Sequence, residues 1–476
     1  MSQCDSIPCV REMTPFTDRE SDELLLFAKI LSDRNVVPIG LLETSIEKRW
    51  ISADPKNCPL KTSAEAILLN DMFASFLSSG WGHVIAASGG FRNDGQYWIV
   101  GAGNTGKKGV LRPSDELCKA LGRACEEFIL GSIMPLNPND MSAIIVASLD
   151  ICHAQAARRL RQINSGATFI TLATSITVTL DERALQLHGS LRSVAAALKD
   201  NLKGWKGLGS QQKTKVATSY GQLLKYASEL WDKIEEFGSI QWKRQVRFIY
   251  ELNTIAKGLE LLRRFPRGTT VDFYWPQGPI KGDRPSCRPA EANTWQTLIE
   301  DLINKSAIED HELRNQMRMN WKETIGENQW AKAIQRGLHC EMYLALYILF
   351  SESDVQFHAF QVEKTRLFTI GCTKESCIGC WDILLGLFRQ DSHDRFIYVC
   401  RTRRSHGKCY TTGGLTPHVE ILPPSLRQAI TGSRQTQMLK SLNISLKYSH
   451  QEFKQRVEGL KQLKAGKQAK KSTIKC

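Results

Sequence analysis

Residues 369–385 read TIGCTKESCIGCWDILL, which sets Cys372, Cys377 and Cys380 directly ahead of an apolar run. Cys377 and Cys380 stand at i and i+3 at the start of a segment read as a helix over 377–388, so both sulfurs project to one side of its first turn. The partial positive charge of a helix N-terminus favours thiolate, the form that binds a metal. Plain packing or a redox couple would use the same spacing. A thioredoxin-type couple is disfavoured, because nothing upstream resembles the rest of that motif.

A second constellation sharpens the reading. Leu338-His339-Cys340-Glu341 opens another predicted helix, and H-x-E followed after about 35 residues by C-x-x-C is the signature of the zinc-dependent base deaminases. His339, Cys377 and Cys380 would be three zinc ligands, leaving the fourth tetrahedral position for water, as a catalytic zinc site requires. Glu341 would then take a proton from that water and hand it to a leaving amine. Because the site would lie across a helix N-terminus, residues 339 and 341 can both face it.

On these residues the chain resembles the nucleic-acid and nucleotide deaminase superfamily with the cytidine-deaminase-like fold. The closest likeness is to a fungal-type branch with a large helical region before H-x-E, a strand reading like IGCSK, then C-x-x-C. Here that strand is Ile370-Gly371-Cys372-Thr373-Lys374, and Ser405-His406-Gly407-Lys408 looks like the branch's later SHGK. The resemblance covers about 335–420 and implies His339, Cys377 and Cys380 as zinc ligands with Glu341 as proton shuttle. The chain departs from the pattern at Cys340, usually a small residue, and at Ser376, usually proline. A fourth thiolate from Cys340 or Cys372 would close the site.

The elements that must position these residues follow from periodicity. Ala66, Leu69, Met72, Phe73 and Phe76 predict a helix from Thr62 towards Gly80. HVIAAS (83–88) and QYWIV (96–100) read as strands of a hairpin turning at Asp94-Gly95. In the family a helix and two antiparallel strands precede the H-x-E helix, and the second strand often ends in an Asn that holds the substrate sugar; Asn104 would be that residue. Residues 61–104 and 335–430 would then share one sheet; otherwise they form separate domains and Asn104 is a turn residue.

Between these regions the pattern is mostly helical, with an N-cap at Ser114 and amphipathic stretches at 141–163, 190–204, 215–236 and 241–263. Residues 168–180 are extended or a buried helix, and the Pro- and Gly-rich 263–290 reads as a long loop. A helix is predicted at 337–350, a connection ending in a strand at 356–371, and strands at 395–402 and 418–424. The expected fold class is α/β, a three-layer cytidine-deaminase-like core with a mixed sheet flanked by helices and a large all-α insertion or N-terminal helical region. Its divisions are a partly flexible region at 1–60, helix and hairpin at 61–108, helical insertion at 109–334, core with zinc site at 335–440, and a basic amphipathic helix with a lysine-rich tail at 441–476.

Composition bounds the function. Charged residues make up 24% of the chain and hydrophobic residues 42%, the balance of a soluble globular protein. No apolar run is long enough to span a bilayer and the N-terminus has no secretory pattern, so an intracellular, cytoplasmic or nuclear protein with reduced thiols and no membrane partner is expected. The net charge of +14 suits a nucleic acid or nucleotide substrate. Gly101 to Lys108 looks like a P-loop, but Lys108 occupies the position of the Mg²⁺-binding hydroxyl, so a strand-end loop is the better reading. His406 follows a predicted strand beside Arg401, Arg403 and Arg404 and would contact phosphate or a base, unless the turn is merely a solvated basic one. The expected activity is hydrolytic deamination of a nucleobase. The alternative is an inactive deaminase-fold module with structural zinc whose helical region binds a protein partner.

Overall fold

The structure is a computed structural model that describes residues 51–52, 58–79, 84–92, 94–103, 112–131, 138–164, 182–236, 247–276, 339–350, 360–374, 388–390 and 396–403, single residues between 297 and 318, and Cys380, Trp381 and Leu384. In chain order its elements are β1 (Ile51–Ser52), α1 (Ser63–Leu77), β2 (Ile85–Phe91), β3 (Tyr97–Gly103), α2 (Asp115–Leu130), α3 (Ser142–Asn164), α4 (Glu182–Lys203), α5 (Ser210–Glu236) and α6 (Arg247–Leu262). They continue with β4 (Val271–Tyr274), α7 (Cys340–Phe350), β5 (Phe360–Val362), β6 (Thr365–Cys372), β7 (Phe388–Gln390) and β8 (Ile397–Thr402).

The helix starts follow the cap chemistry in the sequence. Thr62 Oγ1 accepts from Glu65 N at 3.3 Å, and Glu65 reaches back to Lys61 N at 2.6 Å, close to a capping box. Ser114 caps α2 by accepting from Leu117 N at 3.3 Å.

The architecture is α/β, with a mixed sheet flanked by helices. Strand order runs β1-β5-β6-β2-β3-β4, and β8 pairs with β6 and carries β7. The β2–β3 hairpin is antiparallel, with Ile85 opposite Gly103 and Phe91 opposite Tyr97. Strand β2 also pairs antiparallel with β6 through Ala86↔Cys372 and Ala87↔Gly371, so the hairpin and the C-terminal strands lie in one sheet. The β6–β8 and β3–β4 pairs are parallel.

Strand periodicity assigns the two faces. A Cβ on Gly371 would lie 2.1 Å from Asp71 N, so Gly371 faces α1 across a contact that only a missing side chain permits. Its neighbour Cys372 must then point to the opposite face, where it meets Cys340 at the start of α7. Tyr97 likewise turns toward Phe73 of α1, with ring centroids 6.3 Å apart, and Trp98 turns away from it. The sheet is therefore sandwiched between α1 and α7.

The seam between α1 and β6 is also polar. Asn70 Nδ2 donates to Thr369 O and to Thr369 Oγ1, both at 3.0 Å, and Cys372 N donates to Asp71 Oδ1 at 2.7 Å. Ser88 Oγ donates to Thr369 O at 2.7 Å from β2. Helices α3 and α6 pack against α1, and α2, α4 and α5 pack on them in turn. Leu69 and Met72 of α1 join Leu252, Ile255 and Leu259 of α6 in a continuous apolar core, and a buried Arg159–Glu251 ion pair at 2.9 Å crosslinks α3 to α6.

Three sequence expectations change. Residues 263–290 are not all loop, because Val271–Tyr274 is the edge strand β4, held against β3 and by Val271 N donating to Glu126 Oε1 at 3.0 Å. The expected helix 377–388 stops short of Phe388, which opens β7. The connection at 356–371 contains the hairpin β5–β6, turning at Glu363 with φ 52°. The readings at 168–180, 418–424 and the C-terminal tail lie outside the described residues.

Substituting Gly371→Ala should destabilise the protein by about 3 kcal/mol or prevent folding, because backbone must move to admit the methyl group. Gly189→Ala, at an exposed α4 position with nothing within 4 Å, should instead stabilise by about 0.5–1 kcal/mol. Urea unfolding curves report both, and equal midpoints for the two variants would remove the α1–β6 approach from the account.

Candidate metal centre

Helix α7 is apolar along most of its length, with Leu344, Ala345, Leu349 and Met342 fully buried against the sheet, so its N-terminus carries whatever polar function it has. His339 O accepts from Tyr343 N at 3.0 Å, which places His339 in the capping position and Glu341 in the first turn. Both side chains lie where the helix dipole and unpaired amides favour negative charge.

Cys380 comes from the opposite end of the C-terminal segment. It is helical and fully buried, and Arg401 of β8 donates to Leu384 O, fastening that helical segment to the sheet. Cys380 Sγ lies 3.3 Å from His339 Nδ1, across 41 residues of sequence. His339 Nδ1 is 3.8 Å from Glu341 Oε1. The donor atoms of His339, Glu341 and Cys380 all lie within 4.8 Å of one another and could hold a metal ion.

The spacing fits. Bonds of about 2.3 Å to sulfur and 2.0–2.1 Å to nitrogen at a tetrahedral angle put two such ligand atoms about 3.5 Å apart. The donor set is an imidazole, a thiol sulfur and a carboxylate, a mixture that suits a first-row transition metal better than calcium or magnesium.

Cys340 holds the carboxylate in place. Its thiol donates to Glu341 Oε2 at 3.3 Å, leaving Oε1 turned to His339. Burial, with the Cys372 thiol and the Glu341 carboxylate beside it, pushes the Cys340 thiol well up. At Cys372 the hydrogen bond with Cys340 pulls down, but burial and the carboxylates of Glu341 and Asp71 push up, and the net shift is upward. Both sulfurs are thus neutral thiols at neutral pH rather than competing thiolates, and the Cys340 thiol donates to the carboxylate.

Of the residues predicted from sequence, the structure brings His339, Glu341 and Cys380 together. Cys377, Asn104 and His406 lie outside the described residues, although Gly103, immediately before Asn104, ends β3 opposite Ile85. Sequence reasoning missed the supporting set of Asn70, Asp71 and Arg403. Asp71 Oδ1 accepts from Cys372 N, and its Oδ2 lies 3.6 Å from Arg403 Nη1 at the end of β8. Two polar residues inside the apolar pattern of α1 were the available signal, since buried polar groups need named partners.

No family model, curated protein or solved structure matches the chain. The candidate metal centre rests on its own geometry.

The full chain should bind a divalent transition metal, and His339→Ala and Cys380→Ala should each weaken it by more than about 100-fold, since losing a ligand costs more than losing a ligand's hydrogen-bond partner. Metal content after dialysis against a competing chelator measures this. Retention of wild-type metal by both variants would displace the site.

Proposed function

We propose that the chain is a zinc-dependent hydrolytic deaminase acting on a nucleobase in nucleic acid or in a nucleotide. The observation that carries the reading is the approach of Cys380 Sγ to His339 Nδ1 at 3.3 Å with Glu341 alongside. That convergence sits on the H-x-E and C-x-x-C spacing found in zinc-dependent base deaminases. The order of elements lends support: a helix and hairpin, then α7, β6, the Cys380 helical segment and β8, with β2 and β6 side by side.

His339 and Cys380, with Cys377 from the sequence pattern, would hold the metal. Zinc, when bound, would supply a water of lowered pKa. Glu341 would take a proton from that water and deliver it to the amine as it departs. A ring carbon thereby loses its amino group as ammonia and gains oxygen, consuming one water. Cys340 is the positioning residue, because its thiol fixes one oxygen of Glu341 and leaves the other for proton transfer. The net charge of +14 favours a polyanionic substrate.

In zinc-loaded protein, Glu341→Gln should lower turnover of the responsive base at least about 100-fold, the contribution of a general acid–base group, with metal content unchanged. Mass spectrometry of pooled nucleosides, nucleotides and single-stranded oligomers would find the amine-to-oxo change in the wild type alone. Undiminished turnover in the variant would remove Glu341 from the reaction. A wild type inert on every pool would favour a structural role for the metal.

A further inference from the structure

On the α7 side of the sheet, away from α1, the described residues form a line of aromatic rings that the metal centre does not use. Arg92 sits over the Trp98 ring, its guanidinium carbon 4.1 Å from the centroid. Trp98 and Tyr274 are nearly parallel, with centroids 5.9 Å apart at 26°. Tyr274 and Tyr347 continue the series at 6.1 Å and 29°. Tyr274 is 37% exposed, and Trp98, Tyr343 and Tyr347 are half-buried.

These separations matter. Faces in full contact lie about 3.5–4 Å apart, so parallel rings with centroids near 6 Å are slid sideways and do not cover one another. Rings offset in this way leave part of each face uncovered by its neighbour in the row. The row is held in register from beneath: Trp98 projects from β3, and Tyr274 lies diagonally across on the parallel edge strand β4. Tyr274 donates its hydroxyl to Tyr347 of α7, and that hydrogen bond, with burial and the neighbouring tyrosines, raises its pKa against the pull of Arg112. The platform therefore has a cation stacked at one end, and near its middle Arg112, which is paired with Asp115.

The line leads to the metal centre. His339, Tyr343 and Tyr347 recur every four residues, so they lie along one stripe of α7 and its cap. At 1.5 Å per residue, the eight residues from Tyr347 to His339 cover about 12 Å, two or three nucleotides of an extended strand.

We propose that the Arg92–Trp98–Tyr274–Tyr347 row is a stacking surface for single-stranded nucleic acid, along which unpaired bases are carried toward His339. Open π-faces at successive positions suit bases that have left a duplex, since every base presents a face and stacking needs no sequence. Arg92 and the +14 charge attract the phosphates. A proline-rich peptide also lies on aromatic rows, but it would gain nothing from the cations. Binding at this surface does not depend on the metal; only the delivery of a base to the centre rests on the deaminase reading.

The test is fluorescence anisotropy of the full chain with a fluorescein-labelled mixed-sequence single strand, in DNA and RNA forms. Comparison probes are its duplex, an abasic strand of equal length and an uncharged proline-rich peptide. An intact single strand of either sugar should bind at least about tenfold more tightly than the abasic strand, because stacking contributes about 1–3 kcal/mol per base. Trp98→Ala and Tyr274→Ala should each weaken binding at least about fivefold, while Tyr274→Phe, which keeps the ring, stays within about twofold. Equal binding of intact and abasic strands by the wild type would overturn the proposal whatever the variants do, as would preference for the peptide or for duplex. Binding lost in Trp98→Ala with metal content retained supports the surface. Failure of the wild type to bind any strand while still deaminating a free nucleotide would sink the surface and leave the deaminase reading standing; binding without turnover would do the reverse.

Discussion

The architecture depends on one close approach, where the backbone of α1 at Asn70 and Asp71 lies against β6 at Gly371. A side chain there would stand 2.1 Å from Asp71 N, so contact of this kind is available only to glycine. On either side of it the polar groups are matched, Asn70 to Thr369 and Asp71 to the Cys372 amide, across about 300 residues of chain. The seam sets which way β6 faces. With Gly371 against α1, alternation turns Cys372 to the other side, and there it meets the first turn of α7. An error of one residue in this register would exchange the faces and carry Cys372 away from Cys340 and Glu341.

Around that fixed point the centre has a simple electrostatic design. A buried carboxylate is costly unless its oxygens are engaged, and Glu341 has a thiol on one oxygen and the imidazole of His339 near the other. The helix N-terminus adds favourable potential. Asp71 has a comparable position on the α1 side, accepting an amide from β6 and facing Arg403 from β8, whose guanidinium also lies over Tyr250 of α6 at 5.1 Å. One carboxylate thus ties α1, the sheet and α6 together while the other faces the candidate metal position.

Local patterns made much of this legible in the sequence. The helix start at Thr62, the cap at Ser114, the hairpin and the helical stretches each announced themselves within a few residues, as did H-x-E and C-x-x-C. What escaped was whatever depends on distant chain. VDFY at 271–274 is four residues set among prolines and glycines, and it becomes a strand only because β3 offers an edge and Glu126 an acceptor. The aromatic row showed no spacing to find, since Trp98, Tyr274 and Tyr347 come from three elements spread over the chain. Cys340 looked like a departure from a motif that could poison the site. Only its depth and its carboxylate neighbour show it as a thiol that holds Glu341.

The central claim is that two remote turns of chain converge to hold a metal with nitrogen and sulfur while keeping a place for solvent. X-ray absorption at the zinc edge of the zinc-loaded chain tests it most directly. The account predicts a first shell of one imidazole nitrogen, two sulfurs and one light solvent atom, with zinc–sulfur distances of about 2.3 Å. A shell of four sulfurs, or one with no sulfur, would contradict it.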